Sequence, residues 1–308
     1  MRSKRSKSSG VGLERSCSEL TADWLRSTDP ENGVELLEAW LHGPAYHKHR
    51  HDTYAICLTT SGVLAFDYRG TGEISGPGQV VVLHPDEIHD GHAGTEAGFG
   101  YRQLYVEPAL IFDAVQVLRA HACSLPFVRT PVVMNPKLSD AITAAFEGGR
   151  EPLAIDSLVE QVAEGLLEAD PSCKHVSLPR HLDVAALQRA RAFLDAEKTR
   201  VVRSAELEAV TGLTRYDLAR QFRLLCGTSP YRYLLMRRLT FARERIARRR
   251  PLSEVALDAG FADQAHFTRM FKTTFGLTPA RYRALRLDVA RSSTVDCPGR
   301  EVAPAHAV

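Results

Sequence analysis

No run of 18 apolar residues occurs anywhere in this 308-residue chain, so no segment can cross a bilayer as a helix. The six cysteines, at positions 17, 57, 123, 173, 226 and 297, never form a C-x-x-C pair. That scatter suits a reducing compartment and argues against zinc knuckles and a disulfide framework. Ser-His-Asp spacing, a phosphate-cradling glycine loop and a His-Glu-x-x-His helix are all missing. The basic opening MRSKRSKSSG has no apolar stretch behind it to act as a secretory signal. Residues 1–16 are therefore expected to be a disordered basic tail, and the chain cytoplasmic.

Net charge is also scarce, at +2 overall. That total conceals a division. Residues 180–286 hold 22 Lys/Arg against 10 Asp/Glu, a net of +12, and residues 16–179 hold 10 against 23, a net of −13. An asymmetry of this kind points to a nucleic-acid partner for the basic half.

What is present twice is more specific. GTSPYRY (227–233) returns as GLTPARY (276–282), 49 residues later. The same shift lays Leu218 on Phe267, Arg220 on Arg269, Phe222 on Phe271 and Arg223 on Lys272. Upstream, VTGL (210–213) faces DAGF (258–261) at an offset of 48, so the second copy gained one residue. Two copies are too few for a solenoid, and each reads as one small unit. A short helix ends at Gly212 or Gly260, where glycine tolerates the left-handed turn. Thr214 then caps a new helix, with Asp217 completing a partial capping box.

Leu218, Phe222 and Leu225, and in the second copy Phe267 and Phe271, form the buried stripes. Arg215, Tyr216, Ala219, Arg220 and Arg223, and then Gln264, Ala265, Thr268, Arg269 and Lys272, lie on the opposite faces. This is the grammar of a helix-turn-helix whose second helix enters the major groove. Between the copies, SPYRYLLMRRLTFARERIARRR (229–250) predicts a long helix with a stripe of Leu235, Leu239, Ala242 and Ile246. Its seven arginines between Arg232 and Arg249 are expected on a solvated face, with a few near the ends meeting phosphates.

The front half predicts β structure over 35–105. YAICLTTSGVLAFDY (54–68) reads as a hairpin broken at Ser61-Gly62, and GPGQVVVLHP (76–85) and GYRQLYVEP (100–108) each carry a strand. Helical spacing follows over 109–122 and 138–169, and the proline-bearing stretch 170–182 is the expected linker.

On these residues the chain resembles the AraC/XylS family of transcription regulators over about 183–286, most specifically in PLSEVALDAGFADQAHFTRMFKTTFGLTPARYR (251–283). The front half resembles the family's cupin-like sensor through HKHRHDTY (47–54) and GQVVVLHPDEIHDG (78–91). The resemblance implies two domains. One is a mainly-β cupin-like barrel with following helices (17–169), for effector binding and dimerisation. The other is an all-α DNA-binding domain (183–286), with two helix-turn-helix units at about 204–226 and 252–274 joined by a long helix, and a disordered tail over 287–308. It implies base reading by Tyr216, Ala219, Arg220, Ala265, His266 and Arg269. Backbone contacts then fall to Arg215, Arg223, Gln264, Thr268 and Lys272.

Metal-binding cupins take His-x-His, a nearby glutamate and a last histidine. His49, His51 and His89 fit the histidine places, but the glutamate place falls near Ala55, which cannot ligate. The expectation is therefore an effector pocket with His49, His51, Tyr54, His89 and Tyr105, no metal and no cofactor. The expected function is a non-enzymatic, effector-controlled regulator, an activator, binding double-stranded promoter DNA as a homodimer, with RNA polymerase as a further partner. The alternative is a metal-dependent cupin enzyme fused to a DNA-binding domain.

Overall fold

Strand β4 (Tyr54–Gly62) is buried over its first six residues, and the front half is built around this two-faced burial. The computed structural model describes residues 23–28, 30, 32–119, 124–147, 151–170 and 182–291, with side chains to 286. β4 lies in a six-stranded antiparallel sheet with β1 (Trp24–Ser27), β2 (Val34–Leu41), β7 (Val80–Leu83), β9 (Phe99–Val106) and β10 (Val132–Val133), in the order β1-β2-β9-β4-β7-β10. Side chains alternate across a strand. Tyr54, Ile56 and Leu58 thus join Val80, Val82, Leu104 and Val106 under helices α1 (Pro108–Arg119), α2 (Pro136–Glu147) and α3 (Pro152–Ala169). Ala55 and Cys57 turn the other way, toward Phe66 and Tyr68 of a second sheet. That sheet holds β3 (Pro44–His49), β5 (Leu64–Tyr68), β6 (Thr71–Ser75) and β8 (His89–Ala93), in the order β3-β8-β5-β6. Burial on both faces is why the β7 sequence, VVVL, is apolar without alternation.

The hairpin expected over 54–68 is not formed. β4 pairs with β7 and β9, whereas β5 pairs with β6 and β8. Two-residue punctuation reads the same whether a chain folds back or crosses to a facing sheet. Here Gly62, at φ 64°, carries it across.

The second half is helical from α4 (Val184–Ala196) through α5 (Ser204–Thr211), α6 (Arg215–Cys226), α7 (Pro230–Ala247), α8 (Leu252–Asp258) and α9 (Gln264–Phe275) to α10 (Pro279–Arg291). Thr214 Oγ1 accepts from the Asp217 amide, and Ser229 Oγ from that of Arg232. In the second copy Asp263 Oδ1 caps α9 by accepting from the His266 amide at 2.6 Å. The expected tails at 1–16 and 287–308 and the linker at 170–182 lie outside the described residues, apart from Asp170, Leu182 and the end of α10, which runs to Arg291. No helix among the described residues is long and apolar enough to cross a membrane.

The reading of the arginines of this stretch as a solvated face needs correction for Arg232, Arg237 and Arg243, whereas Arg248 and Arg249 are exposed. Arg243 and Glu35 of β2 are both buried and hydrogen-bonded to each other. Arg237 reaches Glu107 Oε1 at 2.7 Å and Asp52 Oδ2 at 3.3 Å, and Arg191 of α4 also pairs with Glu107. Arg232 lies 2.8 Å from Asp86, and Arg281 of α10 lies 2.7 Å from Asp23. Part of the −13/+12 division is therefore satisfied within the molecule. A buried arginine costs several kcal/mol unless paired, and the acidic half supplies the partners. Burial pushes the Asp52 carboxyl up, against the opposing pull of Arg237.

Candidate nucleic-acid interface and buried histidine cluster

Each recognition helix has one pinned face and one open face. Leu218, Phe222 and Leu225 of α6, and Phe267 and Phe271 of α9, are buried. On the outer face of α6, Arg215, Tyr216, Arg220 and Arg223 are exposed, Tyr216 at 81%, and Ala219 is half-buried. On α9, Gln264, Ala265 and Arg269 are exposed, and His266, Thr268 and Lys272 are half-buried. The His266 ring meets Phe261 edge-on at 5.5 Å. Arg215 is drawn back over α5: its amide and its Nε donate to Glu208 Oε1 at 2.8 and 3.2 Å. Arg220 meets only the exposed Asp217, at 3.4 Å, so its guanidinium is held loosely.

The repeated glycines end both recognition helices in the left-handed conformation, Gly227 at φ 67° and Gly276 at φ 69°. Both also press on the front half. A Cβ on Gly227 would come within 2.8 Å of Pro85 Cβ. One on Gly276 would come within 2.9 Å of both His47 O and His49 Nδ1. His47 N–H donates to Gly276 O at 3.0 Å and Arg50 N–H to Thr273 O at 3.3 Å, so β3 is stitched to the end of α9. The sequence signalled these glycines as helix ends, but nothing local marked them as docking points. Gly276→Ala therefore meets a steric contact as well as backbone strain. It is expected to cost at least about 1–3 kcal/mol, read as a lowered urea midpoint. Gly212→Ala, also at positive φ but with open space around it, should cost less.

Four of the five expected pocket residues come together. His49 and His89 are cross-strand partners in β3 and β8. Their rings are 4.2 Å apart, His51 lies 4.9 Å from His89, and Tyr105 meets His51 edge-on at 5.2 Å. Tyr54 does not join them. Alternation along β4 sends it to the helix-covered face, where its hydroxyl donates to Pro126 O at 2.7 Å. All three histidines are buried. Burial holds their ring pKa values down, to about 3 for His51 and His89, so each ring is neutral near pH 7.

Two cavities adjoin the cluster. One of about 50 Å³ between the sheets is lined by His49, His89, Tyr46 and Tyr101. The other, of about 150 Å³, lies between the halves and is lined by His51, Tyr105, Glu35, Glu107, Arg237 and Arg243. Only the tertiary fold makes the second cavity, because its walls come from β2, β9 and α7.

A β-sheet half of ligand-binding type, joined to two helix-turn-helix units, defines a two-domain transcription regulator. Residues 31–163 match the AraC-like ligand binding domain model, and residues 207–285 match a helix-turn-helix domain model. The chain belongs to the AraC family of regulators. The arabinose operon regulatory protein of Escherichia coli (strain K12) is 25% identical over 239 residues, covering 75% of this chain and 80% of that protein. The probable transcriptional regulator LumQ of Photobacterium leiognathi is 33% identical over 92 residues, which cover 30% of this chain and only 37% of LumQ. Among solved structures, wild-type ToxT from Vibrio cholerae strain SCE256, with bound unsaturated fatty acid, shares the fold. Its TM-score is 0.59 at 13% identity, over 85% of this chain and 98% of that one.

Proposed function

We propose that this regulator reads two successive major-groove segments of promoter DNA with α6 and α9, under the control of a small molecule held by the front half. One observation carries the reading. Arg220 and Arg269 occupy the same place in two copies of one unit, and both are exposed on helices whose opposite faces are pinned. Tyr216, Ala219, Arg220, Ala265, His266 and Arg269 then face base edges, the alanines offering only a methyl to thymine. Arg215, Arg223, Gln264, Thr268 and Lys272 face the backbone. Helix α7, of 18 residues, spans about 27 Å, near the ~34 Å that separates successive major-groove faces.

The effector site in this reading is the cavity between the halves, where a guest would touch Arg237 and Arg243 of α7 together with Glu35 and Tyr105. A ligand there bears on the docking of the halves and so on the presentation of α6 and α9. The chain acts by binding rather than by turnover, in the cytoplasm. It works as a homodimer through the front half and activates by engaging RNA polymerase.

The test is selection of bound sequences from random DNA by the full chain, then titration at rising salt. Each phosphate neutralised adds about −0.9 to the slope of log affinity against log salt. Arg223→Ala should lower the slope by about one while leaving sequence preference unchanged. A flat salt response would remove the DNA-reading role.

A further inference from the structure

The three histidines share a feature that packing alone does not require. His49 Nδ1 lies 2.8 Å from His47 O, His51 Nδ1 2.9 Å from Thr53 O, and His89 Nδ1 3.0 Å from Glu87 O. A carbonyl oxygen only accepts, so each Nδ1 carries the ring hydrogen and each Nε2 is left as a bare lone pair. Ligating nitrogens, one from each ring, lie within 4.8 Å of one another. His51 Nε2 is fully buried and has no hydrogen-bond partner. Three ring nitrogens brought together with no hydrogen between them repel one another, and that of His51 is left without a partner. A cation resolves both problems.

We propose that His49, His51 and His89 bind one divalent transition-metal ion through their Nε2 atoms, and that occupancy of this site is transmitted to α9. Neutral imidazole donors suit iron, nickel, copper and zinc, and Nδ1–H bonded to a backbone carbonyl is the outer arrangement that orients ligating histidines. The cluster offers three protein nitrogens, and the place that a glutamate takes in the cupin pattern falls near Ala55, which cannot ligate. The ion therefore keeps open positions and its full 2+ charge, ready for an oxygen donor of a small molecule in the adjoining cavities. This differs from the sequence expectation of a metal-free pocket. The link to α9 is short. His47 O, which fixes the His49 ring, lies against Gly276, and the His47 amide donates to the Gly276 carbonyl. Contraction of the three rings around an ion pulls on the strand that holds the end of the second recognition helix.

The experiment uses the full chain, stripped with chelator and titrated with Co2+ and with Zn2+, followed by calorimetry, cobalt absorption and thermal melting. One equivalent is expected, with a tetrahedral or five-coordinate cobalt spectrum and a raised melting temperature. His49→Gln, His51→Gln and His89→Gln should each weaken binding by more than the ~10–100-fold that loss of an outer partner costs. His84→Gln, which changes a buried histidine outside the cluster, should not. Absence of stoichiometric binding to the wild-type chain overturns the site, whatever the variants do. So does binding that persists in all three cluster variants. The coupling clause rests on the DNA-reading role and is tested separately, by DNA affinity with and without saturating metal. Unchanged affinity overturns the coupling. A chain that binds DNA with steep salt dependence but takes up no metal refutes this inference alone.

Discussion

Glu35→Ala is expected to destabilise the chain by about 3–5 kcal/mol, because it leaves Arg243 charged, buried and without its carboxylate. Both side chains are under a tenth exposed. The guanidinium also stacks near the Phe275 and Tyr282 rings, at 4.9 and 5.7 Å to their centroids, so it has no short route back to water. The cost falls on the junction of β2 with α7. Urea unfolding should therefore show a lower midpoint, or two transitions in place of one, as the halves come apart. The companion variant separates loss of the pair from loss of charge balance. Glu35→Leu combined with Arg243→Met removes both charges and keeps bulk, and such replacements are commonly neutral or stabilising by about 1–4 kcal/mol. If Glu35→Ala costs less than about 1 kcal/mol, far below the cost of a broken buried pair, Arg243 reaches solvent and the clasp between the halves is not as described.

Arg220→Ala and Arg269→Ala should each cost about 1–3 kcal/mol on the selected DNA sequence, a loss of roughly 5- to 150-fold, and much less on random DNA. An arginine on an open helix face can fork onto guanine O6 and N7, and removal of the fork erases preference at that base pair. Because the two residues hold equivalent places in two units, the two losses should fall at base positions about 10 base pairs apart. Equal loss on every sequence would assign the arginine to phosphate instead. Binding titrations of both variants across single-base changes distinguish the outcomes. Unchanged preference in both would mean that the repeat is not two readers.

The DNA-reading half was legible in the sequence because its signals are local. A cap at Thr214, a left-handed glycine at 212, and the apolar stripes Leu218/Phe222 and Phe267/Phe271 each act within a few residues, and the repeat states them twice. The histidine set was legible through the resemblance to the cupin pattern, whose histidine places His49, His51 and His89 fit. Tyr54 was misplaced because no short-range rule says which face of a doubly buried strand looks inward. The hairpin at Ser61-Gly62 failed for a related reason: a glycine turn does not record which sheet the next strand will join. Arg237 and Arg243 of α7 were read as solvated because helical spacing marks an apolar stripe but not a carboxylate arriving from residues 35, 52 or 107. Their pairing joins positions 130 to 208 residues apart, where the energy is decided by desolvation and not by propensity. Local chemistry thus determined the two helix-turn-helix units. The docking of both reader ends, at Gly227 and Gly276, onto the ligand-binding half was settled only by tertiary packing, because burial of charge and close approach of backbone exist only once distant segments meet.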